Sequence, residues 1–202
     1  MGLTFASGHV LAMRRFAASS VGPGYTSVWH RAPDGKWTFW QDQPDEHACP
    51  RYFSQALSGT NTVDVALGWP DEATLRIDVP DVGLTWTASM STNASTRVMN
   101  ALGRAMPDRA WRSPAVLKAM GPVAGIALRA QKVAMVGTSP NGNEFIANPQ
   151  RIWVIDESSA QLDGVDLGPV GPLSAQARLG DFWIPQRGIF AIGRAFFDVN
   201  ST

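Results

Sequence analysis

The sequence predicts a mainly β protein, an antiparallel lipocalin-like β-barrel or β-sandwich with a helical insertion at about residues 94–132. Short segments rich in aromatic and β-branched residues alternate with Gly, Pro, Asn and Asp turns over residues 8–92. Apolar residues at helical spacing follow over residues 94–132. Strand-like segments return over residues 133–199, and we expect residues 1–202 to form a single domain.

The clearest predicted hairpin spans residues 25–42, where two aromatic arms flank the turn sequence Asp34-Gly35. With a loop of even length, strand alternation gives both faces large aromatic side chains. One face then holds Trp29 and Trp40, and the other holds His30, Trp37 and Phe39. Because a strand that only covers a core keeps one polar face, we expect one face to meet a core and the other to line a cavity.

Three further strands continue the predicted meander, over residues 62–69, 74–79 and 84–90. Their alternation places Trp69 and Trp86 on apolar faces. Strands at this spacing, joined by short turns, are typical of an antiparallel barrel or sandwich.

The helical insertion is predicted as three short helices. The first begins after a cap at Ser95 or Thr96, and Pro107 ends it. Its apolar stripe consists of Val98, Leu102 and Met106. The second, over residues 108–120, restarts after a cap at Ser113, and Gly121-Pro122 separates it from a third over residues 123–132.

The last predicted strand, residues 188–198, alternates small and large side chains. Ala191, Gly193 and Ala195 share one face. Small residues on one face allow the close approach of either a ligand or a neighbouring backbone.

Composition excludes several function classes. The 202 residues include 17 basic and 17 acidic side chains, so the chain has no general electrostatic reason to bind nucleic acid. The single Cys excludes an intramolecular disulfide and a Cys-based zinc cluster. The N-terminus lacks a signal-peptide pattern, and the most apolar stretch, residues 116–136, contains three cations and two glycines. We therefore expect a cytoplasmic protein without an integral membrane span.

Two residues are the predicted catalytic candidates. His30 lies among aromatic residues, where an imidazole can act as a general acid or base, or can be a satisfied core histidine. Asp181 precedes an aromatic segment, where a carboxyl group can donate a proton. The alternative for Asp181 is an ion pair with Arg187 that fixes the loop. The predicted substrate-binding residues are Trp29, Trp37, Phe39, Trp40, Tyr52, Trp86, Trp183 and Arg187.

Residues 45–53 concentrate reactive side chains. His47 and Cys49 allow a thiol nucleophile with a base, and Arg51 allows an anion site, although neither has family-specific spacing. His9, His30 and His47 hold a metal only if the fold gathers them, and we predict no metal and no cofactor.

The strand rhythm of residues 20–92, which includes SVWHRAPDGKWTFW at 27–40, and of the terminal segment GIFAIGRAFF at 188–197 resembles lipocalin-like proteins of the AttH and carotenoid 1,2-hydratase type. It also resembles uncharacterised actinobacterial proteins. The resemblance implies a barrel that binds or transforms apolar molecules such as terpenoids. The helical insertion departs from a minimal lipocalin barrel, and no catalytic residue is carried over.

These observations predict an enzyme that acts on an apolar, isoprenoid- or polyketide-like molecule by acid/base proton transfer, that is, hydration, isomerisation or cyclisation. A non-catalytic lipid- or isoprenoid-binding protein is the alternative. A third hypothesis is a purely structural interaction domain, which predicts no cavity. A fourth is a decarboxylase- or aldolase-like enzyme with a Schiff base on Lys118 or Lys132. A titratable group inside a cavity favours catalysis, and an apolar cavity favours binding. The sequence does not predict the oligomeric state.

Overall fold

A computed structural model describes residues 1–198; residue 199, at the end of the predicted third segment, lies outside the described residues. Within this range the strands are β1 (Gly2–Thr4), β2 (Val10–Phe16), β3 (Tyr25–Arg31), β4 (Trp37–Gln41), β5 (Gly59–Thr62), β6 (Ala66–Gly68), β7 (Thr74–Val79), β8 (Leu84–Ser91), β9 (Val136–Thr138), β10 (Glu144–Leu162), β11 (Val165–Asp166), β12 (Arg178–Leu179), β13 (Phe182–Trp183) and β14 (Ile189–Phe197). The α-helices are α1 (Pro50–Phe53), α2 (Ala94–Ala105), α3 (Asp108–Trp111) and α4 (Pro114–Leu128).

Ten strands form one strongly curled sheet, a half-barrel, in the order β5-β4-β3-β2-β1-β14-β10-β8-β7-β6. Every pair along this path is antiparallel except β4 with β5. Strands β9 and β11 also pair with β10, and β12 with β13 forms a separate hairpin. The predicted fold class, mainly β and antiparallel with a helical insertion, is confirmed.

The β3–β4 hairpin has the predicted strands but the opposite face assignment. Its turn contains Gly35 at φ +93°, and Arg31 pairs with Trp37, which leaves an odd number of residues between the paired positions. A one-residue change of register turns every side chain of one arm to the other face. Trp29 therefore lies opposite Phe39, and His30 shares its face with Trp40.

The predicted strand over residues 62–69 is wrong as a single element. The chain forms β5 at one edge of the sheet, crosses through Val63 and Val65, and forms β6 at the opposite edge. Both valines pack against the core, so an alternating apolar pattern here reflects burial of a crossing segment.

The helical insertion differs from its prediction at three points. Asn93 caps α2 through a capping box with Thr96, because its side chain accepts the Thr96 N–H at 2.9 Å. The outward face of α2 carries the predicted apolar stripe residues Val98 and Leu102, which are 59% and 64% exposed. Helix α4 continues through Pro122, since burial of its inner face outweighs the one lost hydrogen bond.

The curled sheet buries its two largest apolar clusters on opposite sides of β2–β4, and two smaller clusters lie under the helical insertion. The inner core lies between β1–β4 and β7, β8 and β10; its largest side chains include Trp40, Ile77, Leu84 and Trp86. The outer core is covered by α1 and the β12–β13 hairpin, and includes Trp29, Phe39, Tyr52, Phe53 and Leu179.

Candidate functional site

The candidate site lies where the neighbouring strands β2 and β14 diverge and leave a gap in the sheet. Strand β1 is short; it pairs with β2 over three residues but with β14 only at Gly2 and Ile189. Beyond β1, strands β2 and β14 continue without pairing to each other, and a cavity of about 670 Å³ opens between them. This volume lies in the range of small-molecule sites.

The cavity wall is mostly apolar. Trp29, Phe53 and Phe182 form an aromatic side, with Trp29 4.8 Å from Phe53 and 5.4 Å from Phe182 between ring centroids. Leu128 of α4 contributes from the helical insertion, and Met135 contributes from the loop that leads into β9.

The small face of β14 also lines this cavity. Ala191 and Ala195 leave room beside β14. Gly193 additionally allows a close approach of backbone, since a Cβ atom there would lie 2.1 Å from the carbonyl oxygen of Asn148. The tight-packing interpretation therefore holds at Gly193, whereas Ala191 and Ala195 border the cavity and their role in ligand binding stays a prediction.

Arg14 of β2 places a cation inside this apolar cavity. Its guanidinium carbon lies 4.7 Å from the ring centroid of Trp29 and 5.0 Å from that of Phe182. Its Nη1 donates to the carbonyl oxygens of Met1 at 2.6 Å and Met13 at 2.9 Å. Among residues 1–198, no carboxylate lies within ion-pair distance of it. Burial lowers the pKa of Arg14 to about 10, so it remains a cation at neutral pH.

The side chains of Tyr25 and Cys49 lie near Arg14 in this cavity. The hydroxyl of Tyr25 lies 3.5 Å from the Sγ of Cys49. Burial, reinforced by the neighbouring thiol, raises the pKa of Tyr25, and burial raises the pKa of Cys49. At neutral pH the phenol and the thiol beside Arg14 therefore carry no charge. The α-amino group of Met1 donates to the Met13 carbonyl that Arg14 also uses, and burial together with Arg14 lowers its pKa well below the usual value.

Of the predicted substrate-binding residues, the structure brings Trp29, Tyr52 and Trp183 to this cavity. Tyr52 stacks on Phe197 at 4.1 Å. The indole Nε1 of Trp183 is buried without a hydrogen-bond partner among the described residues, which leaves a free donor in a residue of the cavity wall.

The other predicted binding residues lie elsewhere. Phe39 stacks on Trp29 behind the wall at 4.4 Å, and Trp40 belongs to the inner core. Trp86 is fully buried, and its Nε1 donates to the hydroxyl of Ser158. Arg187 lies 3.9 Å from Asp156, so the expected ion pair with Asp181 does not form.

Neither predicted catalytic residue lines the cavity. His30 is stacked between His9 and Trp40, and its Nε2 is 2.9 Å from Nδ1 of His9. Burial and His9 lower the pKa of His30 to about 4. Asp181 lies with Trp37 at a second, more open pocket of about 640 Å³, where its carboxylate accepts the backbone N–H of Thr138 at 3.0 Å. Their catalytic roles stay predictions.

The remaining sequence hypotheses are a thiol nucleophile with a base, a metal site and a Schiff-base lysine. His47 bonds to the carbonyl of Val21, whereas Cys49 contacts Tyr25, so no thiol–imidazole pair forms. Among residues 1–198, no three His, Cys, Asp or Glu side chains are grouped to hold a metal. Lys36, Lys118 and Lys132 are exposed, whereas a Schiff-base mechanism needs a desolvated amine.

Arg14 is the site residue that the sequence reasoning missed. Its signal is present in β2, where Val10, Ala12, Arg14 and Phe16 alternate onto one face, so a single cation occupies an otherwise apolar row.

Comparison with protein-family models, curated proteins and solved structures finds no match for this chain. Over residues 1–198, no helix combines the length and the apolarity needed to cross a bilayer.

Proposed function

We propose that this chain binds an amphipathic small molecule, with the apolar part in the cavity between β2 and β14 and an anionic group on Arg14. The observation that carries the proposal is a cation in an aromatic cavity that no carboxylate of the described residues neutralises.

Burial of a charge costs free energy unless a counter-charge or hydrogen bonds offset that cost. The two backbone carbonyls bond only Nη1 of Arg14 and leave the other guanidinium donors for a ligand. A carboxylate, sulfate or phosphate group accepts from such a fork with two bonds. An anionic head group therefore supplies the counter-charge and the hydrogen-bond acceptors that the described residues do not offer to Arg14.

The neutral groups near Arg14 support the same ligand. The phenol of Tyr25 and the thiol of Cys49 do not compete with an anion for the guanidinium, because both stay protonated at neutral pH. The unpartnered N–H of Trp183 suits a second oxygen on the ligand.

Binding is favoured over acid/base turnover because His30 and Asp181 do not line this cavity. The enzyme hypothesis keeps a direct test, since hydration or isomerisation changes the mass or the absorbance of a bound isoprenoid. Extraction of the ligand after incubation distinguishes turnover from simple release.

The test is a titration with dodecanoate that follows Trp fluorescence, because Trp29 and Trp183 line the cavity. We expect saturable binding in the wild type. The matched pair is Ala195→Leu, which fills the cavity face of β14, and Phe196→Trp, which adds volume on the other face. Loss of binding in Ala195→Leu alone supports the proposal. No saturable binding of dodecanoate, dodecyl sulfate or dodecyl phosphate to the wild type would overturn it.

A further inference from the structure

The helical insertion concentrates positive charge in a chain of zero net charge. Residues 94–132 hold seven of the 17 Lys and Arg but only one of the 17 Asp and Glu. The rest of the chain therefore holds ten cations and 16 carboxylates. The seven cations are Arg97, Arg104, Arg109, Arg112, Lys118, Arg129 and Lys132, all of them exposed. Within residues 1–198, none of them forms an ion pair.

The same segment exposes large apolar side chains. On α4, Val123 and Ile126 are 67% and 81% exposed, while Leu117, Ala124 and Leu128 cover the opposite, buried face. Lys118 is the only charged residue within this helix. A helix that is apolar on all sides is buried or meets an apolar partner, so the outer face of α4 lacks its partner.

Helix α2 repeats the combination. Val98 and Leu102 are exposed along one side of its outward surface, and Arg97 and Arg104 are exposed along the other side. Exposed apolar groups beside lysine and arginine are typical of helices that lie in a membrane interface, where the cations reach the lipid phosphates.

We infer that the helical insertion docks on an anionic membrane surface, with the outer face of α4 in the interface. Charge selects this occupant, because anionic lipid headgroups attract the six net positive charges of residues 94–132 and repel the acidic remainder of the chain. A second copy docked through the same face would bring two strongly positive surfaces together. The inner face of α4 lines the cavity through Ala124 and Leu128, so docking would place the bilayer against the helix that borders the cavity.

The test is co-sedimentation of the full chain with two vesicle types, phosphatidylcholine alone and a two-to-one mixture with phosphatidylglycerol. We expect binding to the anionic vesicles only, weakened by added salt. Arg97→Gln with Arg104→Gln should weaken it at least tenfold, since each cation near the surface contributes about fivefold. The matched control, Lys36→Gln with Arg51→Gln, removes two exposed cations outside the insertion and should keep full binding.

A separate variant, Ile126→Gln, tests the apolar contact. It replaces the most exposed apolar side chain of α4 and should keep the helix folded. It should weaken binding to the anionic vesicles by about threefold or more. Docking needs no ligand, so Arg14→Met should bind the anionic vesicles normally even if it loses the small molecule. Equal binding to both vesicle types, no binding, or a dimer in solution that Ile126→Gln dissociates would overturn the inference.

Discussion

At the scale of single residues, we expect Arg14 to contribute to ligand binding but not to the stability of the fold. Its carbonyl partner on Met1 also accepts the backbone N–H of Met13, so loss of the guanidinium leaves that oxygen satisfied. Because no carboxylate of residues 1–198 offsets the cost of desolvating this half-buried charge, an apolar replacement of Arg14 removes that cost. We expect Arg14→Met to keep the free energy of unfolding or to raise it by about 1 kcal/mol in urea denaturation. A loss above about 2 kcal/mol would mean that Arg14 holds the sheet together.

His30 makes stability depend on pH. Because the pKa of His30 falls from 6.5 to about 4 on folding, the unfolded chain binds more protons than the folded protein between these values. Stability is therefore full above pH 6.5 and decreases as the pH falls towards 4. Between pH 7 and pH 5, the free energy of unfolding of the wild type should fall by about 2 kcal/mol more than that of His30→Gln. Equal losses in the two proteins would contradict this assignment.

At the scale of elements, the turn of the β3–β4 hairpin sets which aromatic side chains face the cavity. Gly35 adopts φ +93°, a conformation that side chains disfavour. Gly35→Ala should lower the free energy of unfolding by about 1 kcal/mol. Gly68→Ala is the matched control, since a Cβ atom at Gly68 meets nothing within 4 Å, and it should change stability by less than about 0.5 kcal/mol. Equal effects at both glycines would contradict a role for the turn geometry.

Strand β14 tests the shape of the cavity. A leucine at Ala195 occupies ligand space, so the affinity for dodecanoate should fall about tenfold or more while the circular dichroism spectrum stays that of the wild type. Phe196→Trp should bind as the wild type does. Tight binding by Ala195→Leu would mean that the ligand lies elsewhere.

These elements show what the sequence can predict. Alternation and turn residues predict β3, β4, β7, β8 and β14, because each pattern is local. The face assignment of the hairpin fails because it depends on one residue of loop length. The prediction of a single strand over residues 62–69 fails because apolar periodicity indicates which residues are buried, whereas the whole sheet determines which strands pair.

The site is less predictable for the same reason. Aromatic content indicates an apolar cavity, and Trp29, Tyr52 and Trp183 do line one. The position of Arg14 depends on the divergence of β2 from β14, which are distant in sequence and unpaired beyond β1. No local sequence pattern indicates that these two strands diverge.

At the scale of the whole molecule, the half-barrel is open between β2 and β14, because strand pairing does not join these two strands beyond β1. A ligand that fills the gap between β2 and β14 binds the folded chain and not the unfolded one, so it stabilises the fold. At a dodecanoate concentration 100 times the dissociation constant, the free energy of unfolding should rise by about 2.7 kcal/mol. An unchanged melting temperature under that condition would contradict a site that belongs to the folded protein.

The most direct test of the account is a calorimetric cycle with two ligands of equal chain length, dodecanoate and dodecanol, and three proteins: wild type, Arg14→Met and the control Arg151→Met, which removes an exposed cation that does not line the cavity. If an anionic head group binds Arg14, the wild type and Arg151→Met prefer the carboxylate. In Arg14→Met that preference shrinks by about 2 kcal/mol. The same preference in all three proteins would contradict the account.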